Sequence, residues 1–180
     1  MKKQTTKELV LSGVFIAMGL VLPIAFHAMG GGGPVFLPMH IPVLIAGFFL
    51  SWPFAFAVGV LTPLLSSILT GMPPFFPVLP YMMFELVTYG TVVSLLYRKL
   101  KMNVYLSLII SMVCGRIMAG TVVWILGTIL MVKLPGPVVF LQGAIITGIP
   151  GILIQLIFIP ATVLAMKRST RLGNFAGVIK

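Results

Sequence analysis

Apolar residues run through this chain in long, almost unbroken stretches, and the polar residues between them fall at only a few places. A helix needs about 20 apolar residues to cross the hydrocarbon of a bilayer. On that measure the pattern predicts helices over residues 6–26, 42–50, 53–69, 80–97, 104–131 and 138–166. Their boundaries come from local breaks. Gly30 to Gly33 offer no side chains to pack and forfeit backbone entropy, so the first helix must end there. Ser51-Trp52-Pro53 divides the stretch from Ile41 to Leu69, which is too long for one straight helix and would hold Pro53 at its centre. The second helix is then short for a full crossing; extension into the preceding loop, or shelter among neighbours, would resolve this. Pro73, Pro74 and Pro77 keep the segment from Thr70 to Pro77 out of regular helix. Gly148, Pro150 and Gly151 predict a kink in the last helix.

Composition sharpens the class. Of the 180 residues, 59% are hydrophobic and only 8% charged, against about a quarter charged in soluble domains. The fold class expected is an all-α integral membrane protein, residues 1–180 forming one transmembrane domain of six helices with little outside the bilayer. The basic start followed by an apolar run reads as a retained first helix, since no small-residue cleavage site follows it. Cys114 lies within an apolar run and reads as a small buried hydrophobe.

The net charge of +10 would suit nucleic acid were it spread over a surface. Instead, Lys2, Lys3 and Lys7, then Arg98, Lys99 and Lys101, then Lys167, Arg168, Arg171 and Lys180 each fringe an apolar segment, as cytoplasmic loops do. With six crossings and both termini inside, those ten lie in the cytoplasm and only Lys133 lies outside. Merging the second and third helices would move Arg98, Lys99 and Lys101 outside, so the charges support the split independently of Pro53. The loops at 27–41 and 70–79 then share the outer face. The first of these, His27 to Pro42, pairs a glycine hinge with an apolar, proline-stiffened arm, and reads either as a flap over a pocket or as a loop resting on the membrane boundary.

Little in the chain supports catalysis. There is no phosphate-cradling Gly-x-x-x-x-Gly-Lys-[Ser/Thr], no His-Glu-x-x-His, no Gly-x-Ser-x-Gly and no aspartate, and Glu8 and Glu85 are the only carboxylates. His27 and His40 lack a third ligand, so no metal is expected. A charge in the bilayer costs at least about 2.5–3.5 kcal/mol, which confines Glu85 and Arg116 to a bundle interior or a cavity. Counting along the helices puts Glu85 in the outer part of the fourth and Arg116 near mid-membrane, more than about 10 Å apart in depth. They would pair only through kinks and extended side chains; carbonyls or a ligand could satisfy each instead. Tyr81, Glu85 and Tyr89 recur every four residues and so share one helix face, a polar stripe suited to a pocket wall. Trp124, Gln142 and Gln155 are further polar groups with access to a cavity. In the first helix Gly13 and Ala17, with Gly19 nearby, form a small-residue face that lets another helix approach closely.

Six predicted helices in under 200 residues, a long loop after the first, Gly13 and Ala17, and the stretch Leu37-Pro38-Met39-His40-Ile41-Pro42 together resemble the S component of an energy-coupling factor (ECF) vitamin transporter. The likeness spans nearly the whole chain and rests on the combination, not on one motif. It implies a subunit of the bacterial cytoplasmic membrane that captures a water-soluble vitamin on the outer side, beneath the loop joining the first two helices. It also implies partners: a transmembrane T component and two cytoplasmic ATPases, which use ATP while this chain carries no cofactor. The family's Ala-x-x-x-Ala, used against the T component, reads here Gly13-Val-Phe-Ile-Ala17, and the role is carried to Gly13 and Ala17. His40, Tyr81, Glu85, Tyr89, Arg116, Trp124 and Gln142 are the expected substrate contacts. Arg116 would suit a carboxylate if it reaches the cavity, which favours pantothenate; hydroxymethylpyrimidine, pyridoxine and folate types are the other candidates. A self-contained homo-oligomeric channel or ion-coupled transporter would also use Glu85 and Arg116, and stays open as the alternative.

Overall fold

The computed structural model describes residues 2–28 and 32–176 of the chain. Within them all regular structure is helical: α1 (Lys2–Ala28), a single turn α2 (Gly33–Phe36), α3 (His40–Phe49), α4 (Trp52–Thr70), α5 (Val78–Val93), a π-helical segment (Ser94–Lys99), α6 (Val104–Thr128) and α7 (Pro137–Ala176). Five of these segments, α5 continuing through the π-helical turn as one, are long and apolar enough to cross a bilayer, and their outward residues, Val21, Ile68, Ile117, Ile146 and Ile157 among them, are large and apolar. Exposure of that kind suits lipid, not water.

The breaks have the expected causes. Leu50 and Ser51 are extended, and Pro53 enters the first turn of α4, where its missing N–H costs nothing. Gly71 closes α4 in the left-handed region with φ 73°, its N–H bonding the carbonyl of Ser67. Asn103 caps α6 by accepting from the N–H of Leu106 at 2.7 Å. The ends shift by a few residues from the predicted ranges, most at α7, which continues to Ala176 and runs as one helix through Pro150 and Pro160. Of the glycine run, Gly30 and Gly31 lie outside the described residues, as do Lys180 and the side chains of Lys2, Lys3 and Arg171. Gly33, predicted to be non-helical, instead opens the turn α2. Gly32 at φ 99° and Leu37 at φ 50° bracket that turn, both left-handed.

The short second helix is sheltered. Nine of the ten residues of α3, His40 to Phe48, are buried, so this helix is the core and not part of the lipid-facing wall. Val43, Leu44 and Ala46 pack among Phe15, Ala55, Val58, Leu86, Tyr89, Val93, Leu108, Ile159 and Val163. The helices close on one another through small residues, as membrane bundles do. A Cβ on Gly115 would run into the Tyr89 ring, so only glycine lets α6 approach α5 at this level. Likewise Gly151 of α7 leaves room for the backbone of Val35 and Phe36, which docks the α2 turn on α7.

Basic residues gather at one end of the bundle. Arg98 meets Glu8 of α1 there, and the Nζ of Lys167 sits 4.6 Å above the ring of Tyr97. From that end α1 leads to His27, α4 to the proline turn and α6 to Lys133 and Pro135, all at the opposite end.

Candidate functional site

At the end remote from Arg98 the helices enclose a cavity of about 490 Å³, a volume typical of small-molecule sites. Each wall has a different origin. Pro23 and His27 come from α1; Gly33, Pro34, Leu37 and Pro38 from the α2 arm; Met72, Pro73 and Pro74 from the proline turn; Tyr81, Met82 and Glu85 from α5; Arg116 from α6; and Val139, Phe140, Gly143, Ala144 and Thr147 from α7. Most of this lining is apolar.

The proline turn is pinned from below. Ser66 Oγ donates to the carbonyl of Met72 and Ser67 Oγ to that of Pro73, both at 2.6 Å, so the end of α4 holds this wall through its own hydroxyls. The opposite wall, α2, rests on Gly151 and on ring contact between Phe36 and Phe26 at 5.5 Å. Tyr81 is held edge-on against Phe140, with centroids 4.9 Å apart, which joins α5 to α7 across the cavity.

Polar chemistry concentrates on one atom. Glu85 Oε1 lies 3.0 Å from Arg116 Nη1 and accepts the hydroxyl of Tyr89 at 2.7 Å. His40 Nε2 stands 3.7 Å away, within reach of an ion pair but beyond a hydrogen bond. All three contacts converge on Oε1 and leave Oε2 outside them. The side chains of Glu85 and Arg116 are 3% and 13% exposed, so their charges compensate each other away from water, as an intramembrane pair must. His40 is 3% exposed and lines the cavity, yet among the described residues neither of its ring nitrogens has a hydrogen-bond partner. Buried polar groups are nearly always bonded, so such an orphan beside a cavity marks a place for an outside partner.

The direct Glu85–Arg116 contact corrects the depth estimated from helix counting. That estimate treated the helices as level rods. Gly115 presses α6 against α5 opposite Glu85 and Tyr89, and the long arginine side chain spans what separation remains. Two other expected residues lie elsewhere. Trp124 is 52% exposed on the outer surface of α6, and Gln142 is exposed on α7, one residue off the stripe that faces the cavity; neither lines it. His40, Tyr81, Glu85 and Arg116 do line it, and Tyr89 lies just behind, holding Glu85. Gln155 is buried in α7, and its Nε2 makes no hydrogen bond among the described residues. The α7 wall was missed, although Phe140, Gly143, Ala144 and Thr147 recur at helical spacing. His27, which opens the arm expected over a pocket and makes a weak metal ligand, lines the cavity, with Nδ1 2.8 Å from the Pro23 carbonyl. Among the described residues no three His, Cys, Asp or Glu side chains converge as metal ligands would.

On the outside of α1, no described residue beyond Gly13's own helical surroundings comes within 4 Å of where a Cβ would stand, and Ala17 is exposed one turn on. Val10, Val14 and Val21 flank them, also exposed. No curated protein and no solved structure matches the chain. The family model of the ECF transporter substrate-specific component, however, matches residues 7–179, nearly its whole length. With a helical membrane bundle, a ligand-sized cavity and an open small-residue face on α1, the chain belongs to the substrate-specific components of ECF transporters, membrane subunits that bind a vitamin-type substrate.

Proposed function

We propose that the cavity between the α2 arm and the proline turn is the capture site for a small water-soluble vitamin bearing a carboxylate, pantothenate being the first to test. The observation that carries this is His40, buried against the cavity with neither ring nitrogen hydrogen-bonded among the described residues. Glu85 is already neutralised by Arg116, so the site has no free negative charge to attract a cation. The remaining N–H groups of Arg116 and the ring of His40 suit an anionic or hydrogen-bonding head, and the proline and methionine lining suits an aliphatic body. Tyr81 closes the side, while Tyr89 and Glu85 fix the arginine.

In this reading the chain crosses the bacterial cytoplasmic membrane six times, α2 and α3 together making the second passage, with the basic end inside. The Gly13–Ala17 face docks on a transmembrane T component, and two cytoplasmic ATPases supply the energy, so the chain itself needs no cofactor.

Mass spectrometry of small molecules retained after gentle purification, followed by titration calorimetry with pantothenate, tests the ligand. A retained carboxylate-bearing vitamin with affinity weakened at least tenfold by His40→Phe is expected; a retained cationic or purely apolar compound would overturn the assignment. Gly13→Leu or Ala17→Leu should leave binding intact and abolish uptake in cells. Uptake by the purified chain alone, driven by an ion gradient in liposomes, would replace this reading with a self-contained transporter.

A further inference from the structure

The second carboxylate of the chain, Glu8, sits at the other end of the bundle in a contact as built as that of Glu85. Its Oε1 receives both Nη1 and Nη2 of Arg98 at 3.2 Å. Its Oε2 receives the Ser51 N–H at 3.2 Å and the Ser51 hydroxyl. Arg98 Nη1 also donates to the carbonyl of Phe49 at 3.0 Å, and Ser94 Oγ to that of Leu50 at 2.8 Å. One junction therefore ties the start of α1, the α3–α4 turn and the segment after α5. That segment is the π-helical turn, whose wider winding carries Tyr97 onto Phe48 and Arg98 beneath Phe49. Such turns are rare and concentrate where function needs a side chain re-aimed.

All three elements that meet here reach the cavity with their far ends: α1 with Pro23 and His27, α3 with His40, α5 with Tyr81 and Glu85. Of the five long segments α1 is the least buried, and the outward face carrying Gly13 and Ala17 lies between Glu8 and the cavity.

We propose that Glu8, Arg98 and Ser51 form a latch that seats α1 on the α3–α4 turn, and that α1, pivoting there, links the Gly13–Ala17 face to the cavity mouth at His27, about 28 Å along the helix from Glu8. The inference rests on the reading of that face as a docking surface and of the cavity as the capture site. Glu8 and Arg98 are positioning residues: neither touches the cavity, and they act through the tilt of α1. A partner pressing on the middle of α1 moves its His27 end as long as the latch holds its Glu8 end. The contact also has a polarity beyond charge, because Glu8 accepts from the Ser51 N–H while Arg98 donates to the Phe49 carbonyl.

The test needs no ligand, so it stands apart from the identity of the vitamin. In the full chain carrying Cys114→Ser, spin labels at exposed Val21 of α1 and Ile146 of α7 report the outer position of α1 by pulsed electron resonance, and a pair at Ile68 and Ile125 reports α4 against α6. Arg98→Ala should at least double the width of the α1 distance distribution and leave the control pair unchanged. Glu8→Gln, which keeps one acceptor oxygen for Ser51 and loses the charge facing Arg98, should give a smaller broadening in the same pair only. The exchange Glu8→Arg with Arg98→Glu should fail to restore the narrow distribution, since the Ser51 N–H and Phe49 carbonyl then face partners of the wrong kind. An unchanged α1 distance in folded Arg98→Ala, equal broadening of both pairs, or full rescue by the exchange would overturn the latch.

Discussion

Two carboxylates serve this chain, one at each end of the bundle, and they are satisfied in opposite ways. Glu8 spends both oxygens on Arg98 and on the backbone and side chain of Ser51, and it takes no part in the lining of the cavity. Glu85 takes Arg116 and Tyr89 on a single oxygen and has beside it a histidine whose ring nitrogens make no hydrogen bond among the described residues. A closed network fixes geometry; an incomplete one leaves room for a guest. The contrast identifies a binding site better than charge or burial does, since both carboxylates are buried and both face an arginine.

The largest expected effect of breaking the contrast lies at Arg116. Arg116→Ala leaves Glu85 buried without its countercharge and should destabilise the protein by about 3–5 kcal/mol, seen as a lower unfolding midpoint in detergent. Replacing both partners together, Glu85→Gln with Arg116→Met, should recover most of that loss while abolishing ligand binding. Next comes Gly115→Ala, whose methyl would enter the Tyr89 ring and part α5 from α6, at about 1–3 kcal/mol. Calorimetric loss of ligand affinity should accompany it, because Tyr89 then releases Glu85. His40→Phe should move the two readouts in opposite directions: binding falls at least tenfold, whereas stability holds or rises by on the order of 1 kcal/mol, as an unpaired buried group has been removed. A fall in both would make His40 structural. The smallest change is expected at Ser51→Ala, at most about 1 kcal/mol, because Arg98 and the Ser51 N–H still hold Glu8.

How far the sequence could be read depended on the range of the forces involved. Pro53 and the basic clusters act locally, so the split of α3 from α4 and the gathering of basic residues at one end were legible. The four-residue spacing of Tyr81, Glu85 and Tyr89 is a property of one helix and put all three on the face they occupy. What a helix meets is set by its partner. Trp124 lies eight residues beyond Arg116, about 80° round the helix, and that turn carries it out to the surface. Gln142 attracts notice as a polar residue, yet its apolar neighbours Phe140, Gly143 and Ala144 build the wall. The Glu85–Arg116 contact depends on Gly115 finding the Tyr89 ring across two helices, a fit between surfaces that no single run of residues records. The junction at Glu8 was likewise out of reach, because the π-helical turn that swings Arg98 inward has no marker in composition.

The Glu85–Arg116 pair also constrains how the protein is made. Synthesis delivers the acid first and its base 31 positions later, on the next long helix. Until α6 emerges, α5 would have to enter lipid with a naked carboxylate, so the two helices are best admitted to the membrane as a single hairpin, charge already answered.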